Sequence, residues 1–242
     1  MADIPRRALA AGAGLLVGAW ASRGHAQQEA QQIASAGLPT LHPKPLPFDP
    51  GKIKGLSPKL LNSHHDNNYA GAVKRLAAIE DELVKFDFAS APAYRLDGLK
   101  RAQQVAYNST ILHELYFDSL SEVATHPSGL LAEQMARDFG SLDRWKAEFA
   151  ATARALGGGS GWVILAYSPR DKRLYNHWAA DHTMAPAGSA LLLALDMYEH
   201  AYQMDYGAAA ARYIDAFFQN VNYDEVNARL ERAIRLGAIA RG

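Results

Sequence analysis

The chain contains no cysteine. That excludes a disulfide framework, a thiolate zinc site and a cysteine nucleophile. It has no surplus of charge of either sign, with Lys+Arg and Asp+Glu at 25 each, so no basic surplus points to nucleic acid. No internal repeat is evident, and no Glu-x-x-His pair occurs, which argues against a ferritin-like di-iron bundle. What is present is a 242-residue chain, 49% apolar and 21% charged. That composition fits a soluble globular protein with a sizeable core, not a disordered or fibrous one.

The N-terminus reads as an address. Arg6-Arg7 precede an uncharged stretch from Ala8 to Trp20, shorter than the roughly 20 apolar residues a bilayer span requires. Gly24-His25-Ala26 supplies small residues around a cut. Paired arginines before a weakly apolar Ala/Gly-rich core resemble a twin-arginine export signal, with Pro5 where Ser is usual. The expectation is a signal over 1–26 and a protein exported, periplasmic or secreted, by the twin-arginine route. No membrane anchor is expected after signal removal. Residues 27–45, Gln/Ala-rich and then Pro-rich, read as a flexible leader.

Two units are expected beyond the leader, a helical hairpin over 46–126 and an α+β metal-binding unit over 127–242. Ser57-Pro58 reads as an N-cap with Pro at the first helical position. Apolar spacing from Leu60 to Leu83 predicts one long helix, Phe86 to Tyr94 a loop, and Asp97 the cap of a second long helix reaching Leu120. His126-Pro127-Ser128-Gly129 marks the boundary. Short helices follow over Leu130–Phe139, stopped by Gly140, and from Ser141 to about Ala155. The Gly157–Gly161 run follows a helix and precedes a strand, the reverse of a nucleophile elbow, and reads as a tight turn. Trp162–Tyr167, Leu174–Trp178 and Leu191–Leu195 read as three strands, and the tail from Ala208 as helical. The fold class is α+β: a long helical hairpin, then a three-stranded antiparallel sheet with flanking helices.

The chemistry concentrates at Asp196-Met197-Tyr198-Glu199-His200-Ala201-Tyr202, an acid and a histidine four apart. Carboxylate oxygen with imidazole nitrogen suits iron, manganese or zinc. An ordinary Asp–His hydrogen bond is the competing reading. His64 and His113 each lie mid-helix on the hairpin, where they could converge on one ion as bundle-core ligands do.

From Leu46 to Ile234 the chain resembles the iron/manganese superoxide dismutases. The segments that carry this are Leu46-Pro47-Phe48-Asp49, Ser57 to Val73 around His64, and Leu112 to Phe117 around His113. Arg137-Asp138-Phe139-Gly140-Ser141, Gly159-Ser160-Gly161-Trp162 and Asp196 to Tyr202 follow in order. The last is similar to Asp-x-Trp-Glu-His-Ala-Tyr, with Tyr198 for Trp. The resemblance implies His64, His113, Asp196 and His200 as ligands of one iron or manganese ion per chain, with superoxide as substrate. It implies a homodimer in which Glu199 contacts a metal-binding histidine of the partner subunit. It also implies site-wall aromatics at Phe117, Trp162 and Tyr198.

The surroundings of that ligand set depart from the family's pattern. Ala72 stands where a gateway Tyr is usual, Asn68 where a histidine is, and Gln203 where a Tyr is. The solvent-binding Gln is absent from both of its positions, here Ser109 and Ala180. His182, with Asp181 fixing its tautomer, is the candidate replacement and the candidate catalytic pair. Tyr69 is expected in the core, and His65, His126 and His177 on the surface. A divergent redox-metal protein with another oxidative activity and a non-catalytic metal-binding protein stand as the rival readings.

Overall fold

The computed structural model describes residues 41–239. The expected signal over 1–26 and the leader as far as residue 40 lie outside the described residues. Ser57 caps α1 (Pro58–Ser63) by accepting from the Leu60 N–H, with Pro58 at its first position. The chain then passes into a π turn, His64–Tyr69, and on into α2 (Ala70–Val84). The single long helix expected here is therefore interrupted, and the Ala70 N–H reaches back five residues to the His65 carbonyl. Such wide turns inside helices often mark functional positions.

Helix α3 (Ala93–Asp118) returns antiparallel. It begins earlier than expected, because extended Pro92 caps it and Asp97 lies inside it. Leu76, Ile79 and Ala106 fasten the far half of this hairpin. Burying a side chain the size of Leu76 contributes about 1.5–3 kcal/mol. Leu41 packs on this cluster, and Lys44 bonds to the π turn and to Glu114 on the returning helix, so the last residues of the expected flexible leader are held.

In the second unit α4 (Gly129–Phe139) stops at Gly140 in the left-handed conformation, and Ser141 caps α5 (Leu142–Arg154). Strands β1 (Trp162–Ser168), β2 (Arg173–Ala179) and β3 (Ala190–Asp196) form an antiparallel sheet in the order β2-β1-β3. All seven residues of central β1 are buried. A bulge leaves Leu192 outside the β1–β3 pairing, and half-buried Arg229 donates to its carbonyl at 2.9 Å while also reaching Ser119 Oγ. That arginine sits on α8 (Tyr223–Ile239), which follows the short α6 (Gln203–Tyr206) and α7 (Ala210–Phe218). One apolar core runs from Phe48 through the hairpin and sheet to Leu230, so the units share an interior. No described helix is long and apolar enough to cross a membrane.

Candidate metal centre

The centre lies where the hairpin meets the end of the sheet. Gly161 sets the register there. At φ +138° an added Cβ would lie 2.2 Å from the Ala179 carbonyl oxygen, so only glycine fits. Its own carbonyl accepts from the Met197 N–H, and Trp162 pairs directly with Asp196 across β1 and β3.

Asp196, the last residue of β3, is fully buried. The Tyr198 N–H occupies Oδ1 at 2.8 Å, and the Tyr213 hydroxyl donates to the Asp196 carbonyl. Oδ2 is thereby left facing three imidazoles. It lies 3.0 Å from His64 Nε2, 3.2 Å from His200 Nε2 and 3.6 Å from His113 Nε2. One donor atom from each of the four residues falls within a sphere of mutual distances below 4.8 Å.

Each imidazole is presented differently. His113 Nδ1 donates to the Ser109 carbonyl at 2.7 Å, one helical turn back, so the lone pair sits on Nε2. That buried Nε2 has no hydrogen-bond partner. His64 is gripped by ring contacts with Tyr116 and Phe117, while its buried Nδ1 is also unpartnered. The His200 side chain is 26% exposed, against at most 2% for the other three. Among the described residues its Nδ1 has no partner.

Burial pushes the His113 pKa down to about 3, with nearby His64 adding to the effect, and burial lowers His64 too. Burial opposes ionisation of Asp196, yet hydrogen bonds from His200 and His64 outweigh it and hold the carboxyl well below its usual range. At neutral pH the cluster thus holds a buried carboxylate beside two imidazoles, His64 and His113, that burial keeps neutral. An unpaired interior anion is costly unless a cation joins it. The orphaned His113 Nε2, the shared Oδ2 focus and the N₃O donor set all fit a divalent or trivalent transition-metal ion.

Aromatic rings wall the cluster. Phe117 lies 5.0 Å from His64 and Trp162 5.2 Å from His113, centroid to centroid, and Tyr198 stacks on His200 at 5.4 Å. A cleft of about 310 Å³ opens beside His113 and His200, lined by Asn68, Ala72, Arg75, His182 and Tyr198. His182 stacks on Tyr198 at 4.8 Å and accepts the Trp162 Nε1–H on Nδ1 at 2.9 Å. Asp181 does not fix that tautomer. Its carboxylate instead takes the Thr183 N–H and hydroxyl at 2.7 and 2.6 Å. Trp162, twenty residues away in sequence, leaves the His182 proton on Nε2. Burial lowers the His182 pKa, which keeps the ring neutral.

Tyr69 is buried, as expected, with its hydroxyl turned away from the cleft. It accepts from the Lys44 N–H and donates to Glu114 at 3.1 Å, and burial pushes its pKa up to about 12. His65 and His177 lie at the surface but are not free there. Both are half-buried, bonding the carbonyls of Lys44 and Met184 respectively. Sequence reasoning missed the backbone carbonyl of Ser109 and the Tyr213 hydroxyl as supports of the donor set. Neither carries a local signal, since one is main chain and the other joins from a distant helix.

Residues 127–229 match the family described as iron/manganese superoxide dismutases, C-terminal domain. The chain is 56% identical over 192 residues to a protein of Cupriavidus metallidurans named superoxide dismutase [Fe], covering 79% of this chain and 97% of that one. It is 36% identical to superoxide dismutase [Mn] 2 of Haloferax volcanii, covering 79% of this chain and 96% of the relative. It is 34% identical to superoxide dismutase [Fe] of Aquifex pyrophilus, covering 82% and 95%.

Proposed function

The chain belongs to the iron/manganese superoxide dismutase family, and from that premise we propose that His64, His113, Asp196 and His200 hold its metal ion. It is a superoxide dismutase, converting superoxide to dioxygen and hydrogen peroxide at a mononuclear iron or manganese centre. A bound iron or manganese ion would supply the one-electron redox chemistry by which one superoxide is oxidised to dioxygen and a second, with two protons, is reduced to hydrogen peroxide. The observation that carries the ligand assignment is the buried Asp196 carboxylate facing the imidazoles of His64, His113 and His200, with no Lys or Arg beside it among the described residues.

The residues around the cluster then have separate tasks. His113 presents its Nε2 lone pair from α3, and His64 would present Nε2 once the proton it shares with Asp196 leaves; Phe117 and Trp162 exclude water from the closed side, while Tyr198 lines the cleft. Arg75, at the rim of the cleft, attracts an anionic substrate. His182 replaces the missing glutamine. With Nδ1 taken by Trp162, its Nε2–H is the donor available to solvent on the open side of the cluster. Asn68, Ala72 and Ser109 leave that side with fewer polar partners than the family's pattern has.

Glu199 supports a homodimer. It is exposed and unpaired among the described residues, next to a His200 whose Nδ1 lacks an acceptor. In an isologous pair each Glu199 carboxylate serves the other subunit's His200. The two units, 46–126 and 127–242, each contribute two ligands. Arg6-Arg7 and the short apolar stretch after them support export by the twin-arginine route to the periplasm or outside the cell. Superoxide is an anion that crosses membranes poorly, so such a compartment needs its own scavenger. N-terminal sequencing of the natural protein should begin near Gln27, and a retained N-terminus on functional protein would end the export reading.

Superoxide turnover, measured by pulse radiolysis on protein loaded separately with iron and with manganese, tests the ligand assignment when paired with metal analysis. One ion per chain is expected, falling to near zero in His113→Ala. Full metal content in that variant would remove the assignment.

A further inference from the structure

The loop between β2 and β3, which carries His182, hangs from the helix that carries His113. Asn108 Nδ2 on α3 donates to the His182 carbonyl at 2.5 Å. One turn earlier, Gln104 Nε2 donates to the Thr183 carbonyl at 3.3 Å. On the far side His177 Nε2 holds the Met184 carbonyl at 2.5 Å. Between these ties the Asp181 carboxylate closes a small turn on Thr183. The loop is thus pinned at three consecutive carbonyls, and the shorter of the two bonds from α3 falls on the residue whose ring lines the cleft.

Position matters here because His182 reaches the cleft from a loop. A donor placed directly on α3 would be fixed by the helix itself. Ser109, which faces the cluster from that helix, has its carbonyl on His113 Nδ1 and its hydroxyl 3.3 Å from the same atom. The helix supplies its amide one residue earlier, to the loop backbone. Asn108 is half-buried, so the bond is partly shielded from competing water, whereas Gln104 is exposed. The ring end of His182 is held by Trp162 and Tyr198, and the Tyr198 hydroxyl also meets the His182 backbone, which leaves the carbonyl to Asn108. The Asn108 bond ties the His182 carbonyl to α3, the helix that bears His113.

We propose that Asn108 is a positioning residue for superoxide turnover, acting through the His182 carbonyl to set where the His182 Nε2–H points. The proposal rests on the reading of His182 given above. Asparagine suits the task because its amide donates at every pH, while the isosteric aspartate carries no donor and sets a negative oxygen against the carbonyl.

The test uses the full iron-loaded enzyme and four variants: Asn108→Ala, Asn108→Asp, His182→Ala and the double variant Asn108→Ala/His182→Ala. Steady-state turnover gives kcat and KM, metal analysis gives occupancy, and amide hydrogen exchange reads residues 180–184 without reference to activity. Both Asn108 variants should lower kcat about tenfold, within the 10–100-fold range typical of groups behind a metal's ligands. KM and metal content should hold, and exchange in 180–184 should quicken at least tenfold. The double variant should be no slower than His182→Ala, because the two act in series. A wild-type kcat in both Asn108 variants, or a double-variant loss equal to the product of the single losses, overturns the proposal while leaving His182 in place. A wild-type kcat in His182→Ala removes the reading beneath it and the proposal with it.

Discussion

The closed and open sides of the metal centre are built differently. On the closed side Asp196, His64 and His113 are buried to within 2% of completely and are fixed by the sheet end, the π turn and the Ser109 carbonyl. On the open side His200 is 26% exposed, His182 arrives on a loop, and Ala72 and Asn68 leave a cleft of about 310 Å³. The difference separates two properties that are usually lost together: holding a metal, and controlling what reaches it. Rigid, buried donors dictate occupancy, while polar groups around the opening tune protons and access.

The largest effect belongs to the closed side. Asp196→Ala should lower metal occupancy at least tenfold, as read by elemental analysis of purified protein. It removes the cluster's buried negative charge, so retained metal would mean the carboxylate is not a ligand. A smaller effect is expected at Glu199→Ala, which should shift the dimer–monomer equilibrium at least tenfold toward monomer in sedimentation experiments. A fully active, stable wild-type monomer would show that His200 needs no partner carboxylate.

The smallest effect concerns the metal-free protein and its pH response. The folded pKa of His113 is about 3, below its usual 6.5, so the unfolded chain takes up a proton that the folded chain refuses. Stability is then lost as pH falls from about 6.5 toward 3, since the unfolded state binds more protons in that window. Asp196 stays ionised in both states over the upper part of the window and does not mask the trend. Melting temperature of the metal-free protein should fall between pH 7 and pH 4.5, and His113→Gln should flatten part of the slope. An identical slope in that variant would place His113 outside the buried neutral cluster.

Much of this architecture is legible in the sequence because its punctuation is local. Ser57-Pro58, Gly140-Ser141 and the glycine run before Trp162 start and stop elements through backbone chemistry that needs no partner. Strand edges moved by only a residue or so. The π turn is not legible, because an α-helix and a π turn share side-chain preferences and tertiary packing selects between them. The tautomer of His182 is also set at a distance. Asp181 is adjacent, but its short side chain turns back to Thr183, and Trp162 reaches the ring instead. The ties of His65 and His177 are not legible either, because main-chain carbonyls, which they bond, leave no trace in a side-chain pattern. The donor set was legible through resemblance, since four positions scattered over 137 residues become neighbours only in the folded chain.

Anomalous diffraction at the iron and manganese edges, on crystals of the natural protein, tests the central assignment most directly. The expected result is one peak per chain, enclosed by His64 Nε2, His113 Nε2, Asp196 Oδ2 and His200 Nε2. A peak elsewhere in the chain, or a zinc-only signal at these four atoms, would contradict it.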